Sequence, residues 1–103
     1  MASGILGKAN PAAATNTTVY TVPAGKVATV NISICNRGGT AANVRVALAA
    51  TGTPGLDEYI EYGTAILANG VLERFGVMIG AATNVVVYSD AATVSVMVFG
   101  AEG

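Results

Sequence analysis

Between residues 26 and 36 the chain runs KVATVNISICN, with Ala28, Val30, Ile32 and Ile34 on one side and Thr29, Asn31, Ser33 and Cys35 on the other. A two-residue period of this length predicts a strand with one buried face. The period returns over residues 43–49, where Val44, Val46 and Leu48 turn inward and Asn43, Arg45 and Ala47 outward. The turn-like Arg37-Gly38-Gly39-Thr40 lies between the two segments, so a hairpin is expected. Residues 93–100, TVSVMVFG, place Val94, Val96 and Val98 on one face. Met97 and Phe99 make the opposite face apolar as well, which predicts a strand covered on both sides.

Shorter β-rich stretches occupy residues 17–22 and 59–62, Val71–Ile79 and Asn84–Ser89, each bounded by turn residues. Pro23-Ala24-Gly25 suits a tight turn, and Asn69-Gly70 is a hairpin signal because both residues tolerate positive φ. No stretch long enough for a helix carries a 3.6-residue period. Together these features predict an all-β chain: one antiparallel β-sandwich or jelly-roll-like domain of seven to eight strands, favoured over a closed barrel. That domain is expected over residues 17–103. Residues 1–16, MASGILGKANPAAATN, show no period and are expected to extend as an N-terminal arm, with Ile5 and Leu6 docking on a neighbouring subunit.

Composition changes this picture at the surface. The chain has 103 residues, and scaling of folded surface with mass predicts that roughly 64% of the unfolded chain's surface is buried, enough for one core. Charged residues make up only 11% of the chain and hydrophobic ones 52%, where an ordinary domain carries about 25% charged. Disorder is excluded by the high mean hydropathy of +0.58. A net charge of -1 with five Lys and Arg leaves no basic stripe for a phosphate backbone, so no nucleic acid is expected as a partner. Polar residues interrupt the apolar runs well before the ~18 residues of a spanning helix, so no membrane is expected either. The start lacks the charged and apolar regions of a secretory signal, and one unpaired Cys fits folding in a reducing cytoplasm.

Candidate chemistry is sparse. With no His and one Cys, His-dependent acid/base catalysis and Cys/His zinc sites drop out, and no enzyme activity, metal or cofactor is expected. Asp57, Glu58 and Glu61 form the only acidic cluster. In a regular strand from Tyr59, Glu61 shares a face with Tyr59 while Glu58 points away, so the acids are expected not to converge. Asp90 sits where Asp starts turns, and Arg37-Gly38-Gly39 is expected to be a turn rather than an anion nest. The charge deficit instead requires something to cover the outward Ala, Val, Thr and Gly residues, as permanent interfaces do.

Three stretches, TTVYTVPAGKVATVNISICNRGGTAANVRVALA, DEYIEYGTAILANGVLER and VVVYSDAATVSVMVFGAE, carry a resemblance to a known family. Over about residues 17–102 the chain resembles small bacteriophage virion structural proteins. The likeness lies in a VYTVPAGK opening strand, a Cys-Asn strand end, a YIEY strand, an Asn-Gly hairpin and a valine-rich closing strand followed by Gly100 and Glu102. These are strand ends and turns, so the resemblance implies a β-sandwich building block and transfers no catalytic residue. The expected function is a non-enzymatic subunit made in the host cytoplasm and located in the virion, as a capsid decoration or cement protein or a tail or collar component. Its expected partners are itself, as a homo-oligomer with a trimer as the expected order, and other virion proteins such as the major capsid or tail proteins. Interface residues are expected at Ile5, Leu6, Cys35, Met97 and Phe99, and at Pro54 and Leu56 in the long loop at residues 51–58. The alternative is a host-glycan-binding module of a tail fibre, using Tyr20, Tyr59, Tyr62 or Tyr88 with Asp57 or Glu58.

Overall fold

The computed structural model describes residues 2–103. Eight strands follow in order: β1 (Ala2–Ala9), β2 (Thr17–Thr21), β3 (Ala28–Asn36), β4 (Ala42–Ala49), β5 (Tyr59–Ile66), β6 (Val71–Ile79), β7 (Asn84–Ser89) and β8 (Val94–Glu102). One 3-10 turn, Leu56–Glu58, is the only helical piece among the described residues. The strands form two antiparallel four-stranded sheets, a first ordered β1-β8-β3-β6 and a second ordered β2-β7-β4-β5, and neither closes into a barrel. Pairing is nested. β1 pairs with β8, β2 with β7, β3 with β6 and β4 with β5, as in one long hairpin folded over on itself.

The core lies between the sheets. One buried cluster draws Val30, Ile32, Ile34, Val94, Val96 and Val98 from the first sheet and Val44, Val46, Val85 and Val87 from the second. β3 and β4 belong to different sheets, so the expected hairpin between them does not form. Their apolar faces meet across the core, and residues 37–41 carry the chain from one sheet to the other. Asn69-Gly70 behaves the same way: it makes a turn, with Asn69 at φ 60 and the Gly70 N–H donating to the Leu67 carbonyl at 2.8 Å. That turn joins β5 to β6 in different sheets, so it is not a hairpin. Pro23-Ala24-Gly25 does form its tight turn, closed by the Lys26 N–H on the Pro23 carbonyl at 3.1 Å. Leu48 packs against the core but stays partly exposed.

The expected N-terminal arm is a strand of this chain's own sheet. Ala2–Ala9 pairs along β8, with a bulge at Leu6 and Gly4 at φ 99, and these two irregularities erase the period that would have marked it. Leu6 consequently packs against this chain's own core. Met1, the first residue of that expected arm, lies outside the described residues.

Bulges fall on the edge strands. The register shifts in β1, β2, β5 and β6, each at the rim of its sheet, while the central pairs β3–β8 and β4–β7 run without interruption. Bulged rims resist pairing with another strand, so both sheets are guarded against edge-to-edge association.

Candidate functional site

The residues of the first sheet that alternate away from the core build its outer face, and the strand register arranges them in rows. Ser3, Ala101, Thr29 and Met78 make one row, and Lys8, Met97, Ser33 and Glu73 another. Between them run Ile5, Phe99 and Asn31, with Phe75 in the β6 bulge opposite Asn31. Ser95, Cys35 and Val71 form the last row. Ile5 is 61% exposed, Val71 54%, Phe75 65%, Met78 73% and Met97 38%, so five of the nine exposed large hydrophobic residues share this one face. A shallow depression at its centre is lined by Ser33, Cys35, Glu73, Ser95, Met97 and Phe99.

Four of the expected interface residues, Ile5, Cys35, Met97 and Phe99, therefore come together here. Pro54 and Leu56 do not: they sit in the β4–β5 connection, belonging to the other sheet, with Leu56 fully turned to solvent. Within the chain β8 is covered on one side, by the core, and its other side carries Met97 and Phe99 on the outer face. Val71, Phe75 and Met78 escaped sequence reasoning as one face because the bulge at Gly76, at φ 67, brings Met78 to the side of Val71 and Phe75, where a regular strand would turn it away. The Asn31 side-chain oxygen accepts from the Gly76 N–H at 3.0 Å and fixes that bulge.

The second sheet's outer face gathers three of the four tyrosines around one cation. Arg45 lies 4.5 Å from the Tyr62 ring centre and 4.4 Å from that of Tyr88, and Tyr59 meets Tyr62 edge-on at 4.8 Å. Below them Tyr59 covers a small cluster of Ala47, Ala49 and Val86. Such a stack covers apolar surface and engages the ring faces on Arg45. Tyr20 is elsewhere, buried in the core with its hydroxyl donating to Glu102 Oε1 at 3.1 Å. Burial first, and the neighbouring Glu102 carboxylate second, push its phenol up to about 12. It cannot stack on a sugar.

The acids do not converge. Glu58 accepts from the Gly55 N–H at 2.7 Å and the Ala50 N–H at 2.9 Å, and these two bonds hold its carboxyl below the usual range. Two bulges in β5 place Tyr59 opposite the outward Ala47 and Glu61 opposite the inward Val46, so Glu61 and Tyr59 do not share the face that a regular strand would give them. Glu61 bridges to Arg74 on β6 and accepts from the Thr64 hydroxyl, tying the rims of the two sheets together. Asp90 accepts from both the backbone and side-chain N–H groups of Asn43. Among the described residues no three His, Cys, Asp or Glu gather as a metal site, and no helix is long and apolar enough to cross a membrane. Comparison with known proteins finds no matching family model, no matching curated protein and no matching solved structure.

Proposed function

We propose that this chain is a non-enzymatic structural subunit of a bacteriophage virion, attached to the particle as a capsid decoration or cement protein or as a tail or collar component. The observation that carries the reading is the apolar outer face of the first sheet, with five exposed large hydrophobic side chains on a chain that has 11% charged residues. A monomeric soluble domain rarely leaves such a patch bare, and a patch of this kind marks a docking surface. The architecture supports the same reading. Nested pairs over two four-stranded sheets fit the winding of an eight-stranded jelly-roll sandwich, an architecture that capsid domains share with lectins. The motif resemblance to small virion proteins adds to it. A non-enzymatic role is supported by the acids, since Glu58, Glu61 and Asp90 are each engaged in bonds that hold turns and sheet rims.

As a cement protein it acts by linkage: binding the assembled shell and not the free capsomer stabilises the shell in proportion to occupancy. Particles produced with the chain deleted, then supplied with purified protein, test this directly. Saturable binding and a higher particle disruption temperature are expected. Absence of the chain from purified particles, together with no rebinding, overturns the reading. The glycan-binding alternative is favoured by one observation, the grouping of Tyr59, Tyr62 and Tyr88. A glycan-array signal that vanishes in Tyr59→Ala supports it; no signal removes it.

A further inference from the structure

Lys8 and Glu73 are the only charged residues in the register rows of the first sheet's outer face, and they stand at opposite ends of one row. Lys8 is on the rim strand β1, paired to Met97; Met97 pairs to Ser33, and Ser33 to Glu73 on the rim strand β6. Three strand spacings put them about 14 Å apart, too far to meet within one chain. Among the described residues neither has a salt bridge, and no side-chain hydrogen bond holds either one in place. A row that begins with a cation, ends with an anion and is apolar or small between them is complementary to itself when reversed.

We infer that this face receives a second copy of the same chain, the two copies meeting face to face about a two-fold axis parallel to the strands. The inference deepens the virion-subunit reading and rests on it for an oligomeric subunit; it assigns this exposed face to self-association, so that attachment to the particle falls to surface outside it. Rotation about that axis lays each row over its own reverse. Lys8 then lies against the partner's Glu73 at both rims, Met97 against the partner's Ser33, and Ile5 against the partner's Phe75. Sheets packed face to face lie about 10 Å apart, within the combined reach of a lysine and a glutamate side chain. The other two-fold packing on this row, about an axis running across the strands, stacks Lys8 on Lys8 and Glu73 on Glu73. Like charges disfavour it, so the same two residues select one arrangement and reject the other.

Two further features point to a copy of this chain. All four rim strands are bulged, which disfavours association by strand addition and leaves the face as the route. A face four strands wide and about eight residues long covers about 500 Å² in projection. Two such faces remove about 1,000 Å² from water, the size at which a specific interface begins. An isologous contact of this kind closes on itself and yields a discrete dimer.

The test is charge exchange in the full chain, read by sedimentation equilibrium over micromolar concentrations with thermal unfolding as the folding control. Wild-type protein is expected to be a dimer whose dissociation constant rises with salt. Lys8→Glu and Glu73→Lys each place two like-charge contacts in the dimer and are expected to weaken it about tenfold or more. The double exchange Lys8→Glu/Glu73→Lys is expected to restore it. A wild-type monomer, a wild-type trimer, or single variants that dimerise as well as the wild type would each overturn the inference. Failure here is distinguishable from failure of the virion role: a monomer or trimer that is still recovered in particles sinks the two-fold contact alone, and a charge-dependent dimer absent from particles sinks the virion reading alone.

Discussion

Asn36 is the residue on which most local structure converges. It is fully buried at the end of β3, donates from Nδ2 to the Thr40 carbonyl at 2.8 Å and the Ile66 carbonyl at 3.0 Å, and accepts on Oδ1 from the Gly38 N–H and the Thr93 hydroxyl. One amide thus ties together the end of β5, the crossover after β3 and the start of β8. Asn36→Ala leaves buried carbonyls without donors and is expected to cost about 3 kcal/mol, read from urea unfolding. Tyr20 is the residue at which pH acts. Its folded phenol holds the proton to about 12 where the unfolded chain releases it near the ordinary 10. Stability from this group is complete below pH 10 and is lost as pH rises toward and through 12. Denaturation midpoints measured from pH 9 to 12 are expected to fall in the wild type and to fall less in Tyr20→Phe.

At the scale of the element, glycine decides how closely strands approach. Gly100 in β8 has φ 153, and a Cβ there would run into the backbone carbonyl oxygen of Thr29 in β3. Gly100→Ala therefore forces the two central strands of the first sheet apart and is expected to lower the melting temperature by about 10 °C or more in a domain of this size. Calorimetry checks it. Gly63 and Gly76, at φ 70 and 67, do the opposite work at the rims, allowing the bulges of β5 and β6 that a side chain would strain. The strands most legible in the sequence, β3, β4 and β8, are three of the four central ones, where regular pairing keeps the two-residue period intact. β1 and the faces of β6 were illegible because their bulges shift the period partway along the strand.

At the scale of the whole molecule, one outer face is polar-capped and the other is bare. Arg45 and three tyrosines cover the second sheet, whereas the first presents Ile5, Phe75, Met78 and Met97 to solvent. Met97 lies at the centre of the bare face, in the same row as Lys8 and Glu73. Met97→Asp is expected to abolish self-association, because a carboxylate there would be desolvated at the contact, and to leave the unfolding temperature of the isolated chain nearly unchanged because the side chain is outside the core. Sedimentation velocity and calorimetry on the same sample measure both effects. A variant that unfolds early instead would place Met97 in the fold's own packing.

By itself the sequence determined that the chain is all-β, which residues of β3, β4 and β8 turn inward, and that the surface is short of charge. Those properties follow from local alternation and composition, which survive without knowledge of any distant contact. Tertiary structure alone decided which strands are neighbours. The Arg37-Gly38-Gly39-Thr40 and Asn69-Gly70 turns look like hairpin turns in sequence, yet each carries the chain from one sheet to the other, because which strands pair is set by contacts between distant segments, β3 with β6 and β8 and β4 with β5 and β7, that no local turn signal encodes. It also decided what the exposed residues assemble into: Lys8 and Glu73, 65 positions apart by their numbering, share a row only because β1 and β6 are the two rims of one sheet.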